Sequence, residues 1–98
     1  MNCYAKGRRF EYEVKKQLEK EGYYVIRAAG SHTKCDLVAF LAKDYIELPL
    51  VRAIQCKSGN SPYKKDLVAL KKLKLPLIVQ KEIWIKKPRQ EVKVIIIR

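Results

Sequence analysis

The chain has 98 residues, with 22 Lys and Arg against 10 Asp and Glu, a formal charge of +12. Hydrophobic residues make up 48 %, enough for a packed core and too many for a disordered basic tail. No apolar run approaches the roughly 20 residues of a membrane span, no secretory leader opens the sequence, and Cys3, Cys35, Cys56 and the single His32 stand in no zinc or CxxC spacing, so the reading is one soluble, intracellular domain whose charge suits a polyanion.

The spacing predicts a helix over residues 7–21, because Phe10, Val14 and Leu18 recur every four positions and Gly22 follows as a stop. Glu11 borders that stripe and therefore points toward whatever the helix packs on. Residues 23–28 (YYVIRA) read as a strand, residues 30–34 as a polar break, and residues 36–41 (DLVAFL) as a near-continuously apolar central strand. Residues 43–49 connect to a third strand over 51–57 (VRAIQCK), and 58–62 (SGNSP) form the clearest loop.

A short helix is expected over 66–74, with Leu67, Leu70 and either Leu73 or Leu75 inward and Pro76 ending it. Residues 77–80, 83–86 and 92–97 complete the strands. Loop and helix together are long enough to cross over the sheet, so residues 77–80 can pair in parallel. The fold class is α/β, a mixed central β-sheet flanked by helices in the order α-β-β-β-α-β-β. Leu67 to Leu75 and Ile83-Trp84-Ile85 are the candidate apolar surfaces for self-association. The three cysteines are expected to be reduced side chains within the fold.

The charge is uneven: residues 57–89 hold ten basic residues against Asp66 and Glu82. Such a concentration repels itself, and it suits attraction of nucleic acid, while lysines that simply solubilise a small domain are the plainer reading. No stretch carries the basic and apolar faces of a membrane-surface helix.

Period-two geometry puts Gln55 and Lys57 on one face of the third strand and Ile54 and Cys56 on the other. A hairpin between the second and third strands brings Asp36 beside that polar pair, and Glu11 on the first helix closes the group. Two carboxylates and an amide oxygen are hard donors of the kind Mg²⁺ takes, and an adjacent lysine can orient a water or neutralise charge on a phosphate. Singly, each residue also fits a plainer role: Asp36 and the pair Ser31 and Thr33 as turn residues, Lys57 as a solvated strand end, Glu11 as a helical partner of Lys15.

In this order the residues resemble a family. Lys6-Gly7 with Phe10 to Val14, the Gly-Tyr-Tyr-Val-Ile-Arg segment, Ala29-Gly30-Ser31-His32, Asp36 to Ala39 and Gln55-Cys56-Lys57 are similar to the archaeal-type Holliday junction resolvases of the PD-(D/E)xK nuclease superfamily. The resemblance implies a restriction-endonuclease-like fold and Mg²⁺-dependent cutting of four-way DNA junctions by a homodimer, with Mn²⁺ able to substitute. It implies Glu11, Asp36, Gln55 and the Cys56 carbonyl as metal ligands, Lys57 as the catalytic lysine, and Ser31 near the scissile phosphate. Phosphate contacts fall to Arg8, Arg9, His32, Lys34, Lys64 and Lys65.

Gln55 departs from the family, which has glutamate there, and matches instead the QxK form of some restriction nucleases. The amide removes one negative charge and weakens the site for a hard cation. The chain is also shorter than is usual in the family. Two further readings follow from Gln55: a same-fold nuclease acting on other branched, flapped or modified duplexes, and a junction-binding protein with weak chemistry.

Overall fold

The computed structural model describes residues 3–28, 35–60 and 62–98. In chain order the elements are α1 (Cys3–Lys20), β1 (Tyr23–Arg27), β2 (Leu37–Leu41), β3 (Val51–Ser58), α2 (Lys64–Lys72), β4 (Val79–Lys86) and β5 (Lys93–Ile97). The strands form one sheet in the order β1-β2-β3-β4-β5. β1–β2, β2–β3 and β4–β5 are antiparallel, while β3–β4 is parallel, since α2 carries the chain back before β4 begins. The mixed sheet and the flanking helices are present as expected, and the order α-β-β-β-α-β-β holds with five strands where six strand segments were read.

The stripe predicted on the first helix is the packed one. Phe10, Val14 and Leu18 are buried against Tyr23, Val25, Leu37, Ala39, Ile54 and Trp84. The helix starts ahead of the expected 7–21 span, since no proline precedes Phe10 and a lone Gly7 is tolerated. It stops where predicted: Gly22 has φ +96, and its N–H donates to the Glu19 carbonyl at 3.1 Å. Leu70 of α2 packs on the opposite sheet face with Ile83, Ile85 and Ile97, flanked by Leu67 and Leu73.

Two expectations are corrected. Residues 77–80 and 83–86 are not separate strands, because β4 runs unbroken from Val79 through the polar Gln80-Lys81-Glu82. Each of those side chains has a partner that pays for its place in the sheet. The Lys81 ammonium donates to the carbonyls of Leu70 at 2.6 Å and Leu73 at 3.0 Å, capping the C-terminal end of α2 where a cation is favoured. Gln80 and Arg52 both donate to Glu82. Ile83-Trp84-Ile85 is likewise no surface: all three are 3 % exposed or less, as a strand covered on both faces must be. Of the Leu67 to Leu75 segment, Leu67, Leu70 and Leu73 turn inward, while Val68 is half-exposed and Leu75 is exposed. Cys35 and Cys56 are free thiols.

Candidate active site at the ends of β2 and β3

Asp36 stands one residue ahead of β2, pinned on both sides. Its N–H donates to the Ile54 carbonyl and its carbonyl accepts from Ala28, each at 2.8 Å. Leu37 lies opposite Ile54, so the antiparallel register sets Asp36 against Gln55. The Asp36 carboxylate turns onto β3, where Oδ2 accepts the Cys56 N–H at 2.9 Å.

Alternation along β3 has the predicted phase. Ile54 and Cys56 pack into the α1 core, whereas Gln55 and Lys57 lie beside Ile83 and Ile85 on the α2 side. The Lys57 ammonium is 3.0 Å from Oδ2 of Asp66, in the first turn of α2. Gln55 makes no side-chain hydrogen bond among the described residues.

Glu11 arrives from the other face. It follows the buried Phe10 on α1, and its Oε1 accepts from Arg27 Nε at 2.8 Å, with side-chain exposures of 17 % and 22 %. Arg27 ends β1 and lies 5.4 Å from the Tyr12 ring centre. Lys15 pairs with Glu19 instead, so the alternative helical role for Glu11 is not used. Asp36 thus lies against Gln55 in the register, and the charges of Lys57 and Glu11 are felt at its carboxylate. Ser31, His32 and Lys34 lie outside the described residues.

Two members were absent from the sequence reading. Arg27 fixes Glu11, and Asp66 fixes Lys57. The one available signal was that Asp66 is the sole acid in an α2 of sequence KKDLVALKK.

Burial pushes the Asp36 carboxyl above its ordinary value. The Cys56 N–H pulls it back, Glu11 raises it, Lys57 lowers it and Asp66 raises it again, leaving it high overall. Burial pushes the Cys56 thiol up, and the carboxylates of Asp36 and Glu11 add to the shift, so the sulfur stays protonated and inert. A carboxyl raised above its unfolded value favours folding while protonated. That contribution is complete below the ordinary value of 3.8 and is lost as pH rises through the higher folded value. At neutral pH, where the unfolded carboxyl is ionised, burial of Asp36 therefore costs the metal-free protein stability. Asp36→Asn, which still accepts from Cys56, is expected to raise Tm in chelator at pH 7 by a few degrees, discounted for solvent screening. The gain should shrink as pH is lowered toward 4. A thermal melt in which the variant is no more stable at pH 7 would refute this.

The donor set suits a hard divalent cation: a carboxylate oxygen of Asp36, the Gln55 amide oxygen, the Cys56 carbonyl and the Glu11 carboxylate are all oxygen donors. Among the described residues no three His, Cys, Asp or Glu side chains cluster as metal ligands. Two carboxylates and two neutral oxygens match an ion that keeps several waters.

Basic side chains flank this end of the sheet. Arg8 and Arg9 are exposed on α1. Arg9 lines a cleft of about 300 Å³ with Ser58, Gly59, Lys86 and Lys87, directly after Lys57 in β3. Lys64 and Lys65 are exposed at the start of α2, beside Asp66. Among the described residues no helix is long and apolar enough to cross a membrane.

The model of the archaeal Holliday junction resolvase (Hjc) family matches residues 2–50, a span that includes Glu11 and Asp36 and ends before Gln55 and Lys57. The fold is similar to that of Hjc from Archaeoglobus fulgidus, a Holliday junction resolvase from an archaeal hyperthermophile. The TM-score is 0.67 at 24 % identity, covering 94 % of this chain and 73 % of that one.

Proposed function

The chain belongs to the archaeal Holliday junction resolvase family, and from that premise we propose that residues 1–98 form one Mg²⁺-dependent nuclease domain. It acts inside the cell as a homodimer, nicking two opposed strands of a four-way junction. The observation that carries this reading is the Asp36 carboxylate seated on the Cys56 N–H, opposite Gln55 and beside Lys57.

Asp36, Gln55, the Cys56 carbonyl and Glu11 would hold the ion. A bound Mg²⁺ supplies a Lewis acid for the phosphate and lowers the pKa of a bound water. The remaining work belongs to side chains. Lys57 offers an ammonium to orient the attacking water and neutralise charge growing on the phosphate oxygens. Arg27 holds Glu11 and keeps that carboxylate aimed at the site. Arg8, Arg9, Lys64 and Lys65 lie on both sides of the catalytic end and suit backbone contacts that read shape rather than base sequence. Ser31, His32 and Lys34 are assigned to the phosphate on the family resemblance alone. A junction is nearly two-fold symmetric, so two copies related by a two-fold would present two sites to two equivalent phosphates.

The test is cleavage of an immobile four-way junction and a matched linear duplex by the purified protein, with Mg²⁺, with Mn²⁺ and with chelator. Paired symmetric nicks confined to the junction and lost in chelator support the proposal. Cutting of both substrates points to the broader nuclease that Gln55 also suits. Tight binding with no cutting at any metal concentration points to a junction-binding protein on a nuclease fold.

A further inference from the structure

We propose that Asp66 is a positioning residue of this reaction: its carboxylate holds the Lys57 ammonium at the Asp36 end of the sheet and supplies the negative charge that Gln55 lacks. The inference rests on the reading of Lys57 as the catalytic lysine.

Three observations converge on it. Lys57 is the last inward-facing residue of β3 on the α2 side, and its Nζ lies 3.0 Å from Asp66 Oδ2. The chain then turns through Gly59, at φ +84, and enters α2, whose first turn carries Asp66. A carboxylate is favoured at a helix N-terminus, so the helix tolerates this one acid among its lysines. Finally, the register sets Asp36 against Gln55, and Lys57 follows two residues along the same face of β3, so the Lys57–Asp66 pair stands at the Asp36 end of the sheet.

Stability does not account for the pair. The two side chains keep 29 % and 27 % of their surface in water, and pairs so exposed contribute about 0–1 kcal/mol. Restraint is the larger effect. A lysine has four rotatable side-chain bonds, and an unpaired ammonium spreads over many rotamers. Paired, it is held in one place beside α2, and misplacement of a reacting group by about 1 Å can lower a rate about 100-fold.

The charge balance supports the second half of the inference. With glutamate at position 55, a site of this kind would have its third carboxylate on β3. With Gln55 its carboxylate donors are Glu11 and Asp36, and Asp66 restores a third negative group from α2, bound to the lysine rather than offered to the ion.

The experiment uses the full-length chain with Asp66→Asn, Asp66→Glu and the double variant Gln55→Glu/Asp66→Asn. Asp66→Asn should slow single-turnover junction cleavage about 10- to 100-fold. Its KM, its junction affinity in chelator and its Tm should stay close to wild type. Asp66→Glu should recover most of the rate, and Gln55→Glu should recover part of it in the Asn background. A metal-free readout accompanies these: peptide-mapped acylation of Lys57 in chelator should rise several-fold in Asp66→Asn and not in Asp66→Glu. Wild-type cleavage with an Asp66→Asn rate unchanged, or with no rescue by Glu, overturns the inference and leaves the nuclease reading standing. Loss of Tm and junction affinity in parallel with rate reduces Asp66 to a structural residue. A wild type that cuts nothing overturns the nuclease reading and this inference with it.

Discussion

Asp36→Asn and Lys57→Ala are each expected to lower the junction cleavage rate by at least about 10²- to 10³-fold, the range found when one group aimed at developing charge is removed. Metal-free junction binding should survive in both. The geometry makes these variants unusually clean. Asn keeps an oxygen to accept the Cys56 N–H, so the junction of β2 and β3 is retained, while the negative charge is lost. Because burial makes the ionised Asp36 unfavourable at neutral pH, the Asn variant should be inactive and at the same time more stable, a combination that misfolding cannot produce. Lys57→Ala leaves Asp66 with more than a quarter of its side chain in water, so no charge is stranded in the core. Single-turnover cleavage of a labelled junction, alongside a mobility shift in chelator, separates chemistry from binding. Loss of binding in both folded variants would mean that these residues contact the DNA ground state and not the reaction.

The Gln55 and Lys57 pair of the candidate site was legible because its spacing is local. Gln55 and Lys57 alternate with Ile54 and Cys56, and two polar residues on one face of an apolar strand announce themselves. Asp36 at the head of the preceding strand is placed by the hairpin that joins them. What periodicity cannot report is a partner far along the chain. Glu11 and Arg27 meet across 16 residues, and Arg52 and Glu82 across 30. The second of these pairs hid the extent of β4. Gln80-Lys81-Glu82 looks like a break in a strand when read locally, and becomes a strand interior once Arg52 and the α2 carbonyls satisfy it. The same blindness made Ile83-Trp84-Ile85 look like a surface, since nothing in three apolar residues says that both faces are already covered.

Glu82→Ala is expected to destabilise the fold by about 3–5 kcal/mol, the loss typical of stranding one partner of a buried ion pair. This is a large share of the roughly 5–15 kcal/mol that holds a domain of this kind together. Glu82 is fully buried, and its two oxygens accept four hydrogen bonds. Oε2 takes Arg52 Nε at 2.7 Å and Gln80 Nε2 at 2.8 Å, while Oε1 takes Arg52 Nη2 at 2.9 Å and the Trp84 indole N–H at 2.8 Å. Without them the Arg52 guanidinium, 12 % exposed and lying over the Tyr23 and Trp84 rings, retains only Glu21 at 3.6 Å among its ion-pair partners. Removing both charges, as Arg52→Met/Glu82→Leu, should recover part of the loss, because no buried charge is then stranded, while the Trp84 N–H and the Gln80 amide still lose their acceptor. Urea unfolding of the single and double variants measures this. A Glu82→Ala variant within about 1 kcal/mol of wild type, or a double variant no better than the single, would refute it. The network also bears on the site it does not touch. Arg52 pairs in register with Gln80, and Glu82 sits two residues further along β4, so the cluster fixes the parallel alignment of β3 and β4. A slip of one residue in that alignment would turn the alternation over and move Gln55 and Lys57 away from α2. Glu82 therefore helps hold the phase that lets Lys57 meet Asp66.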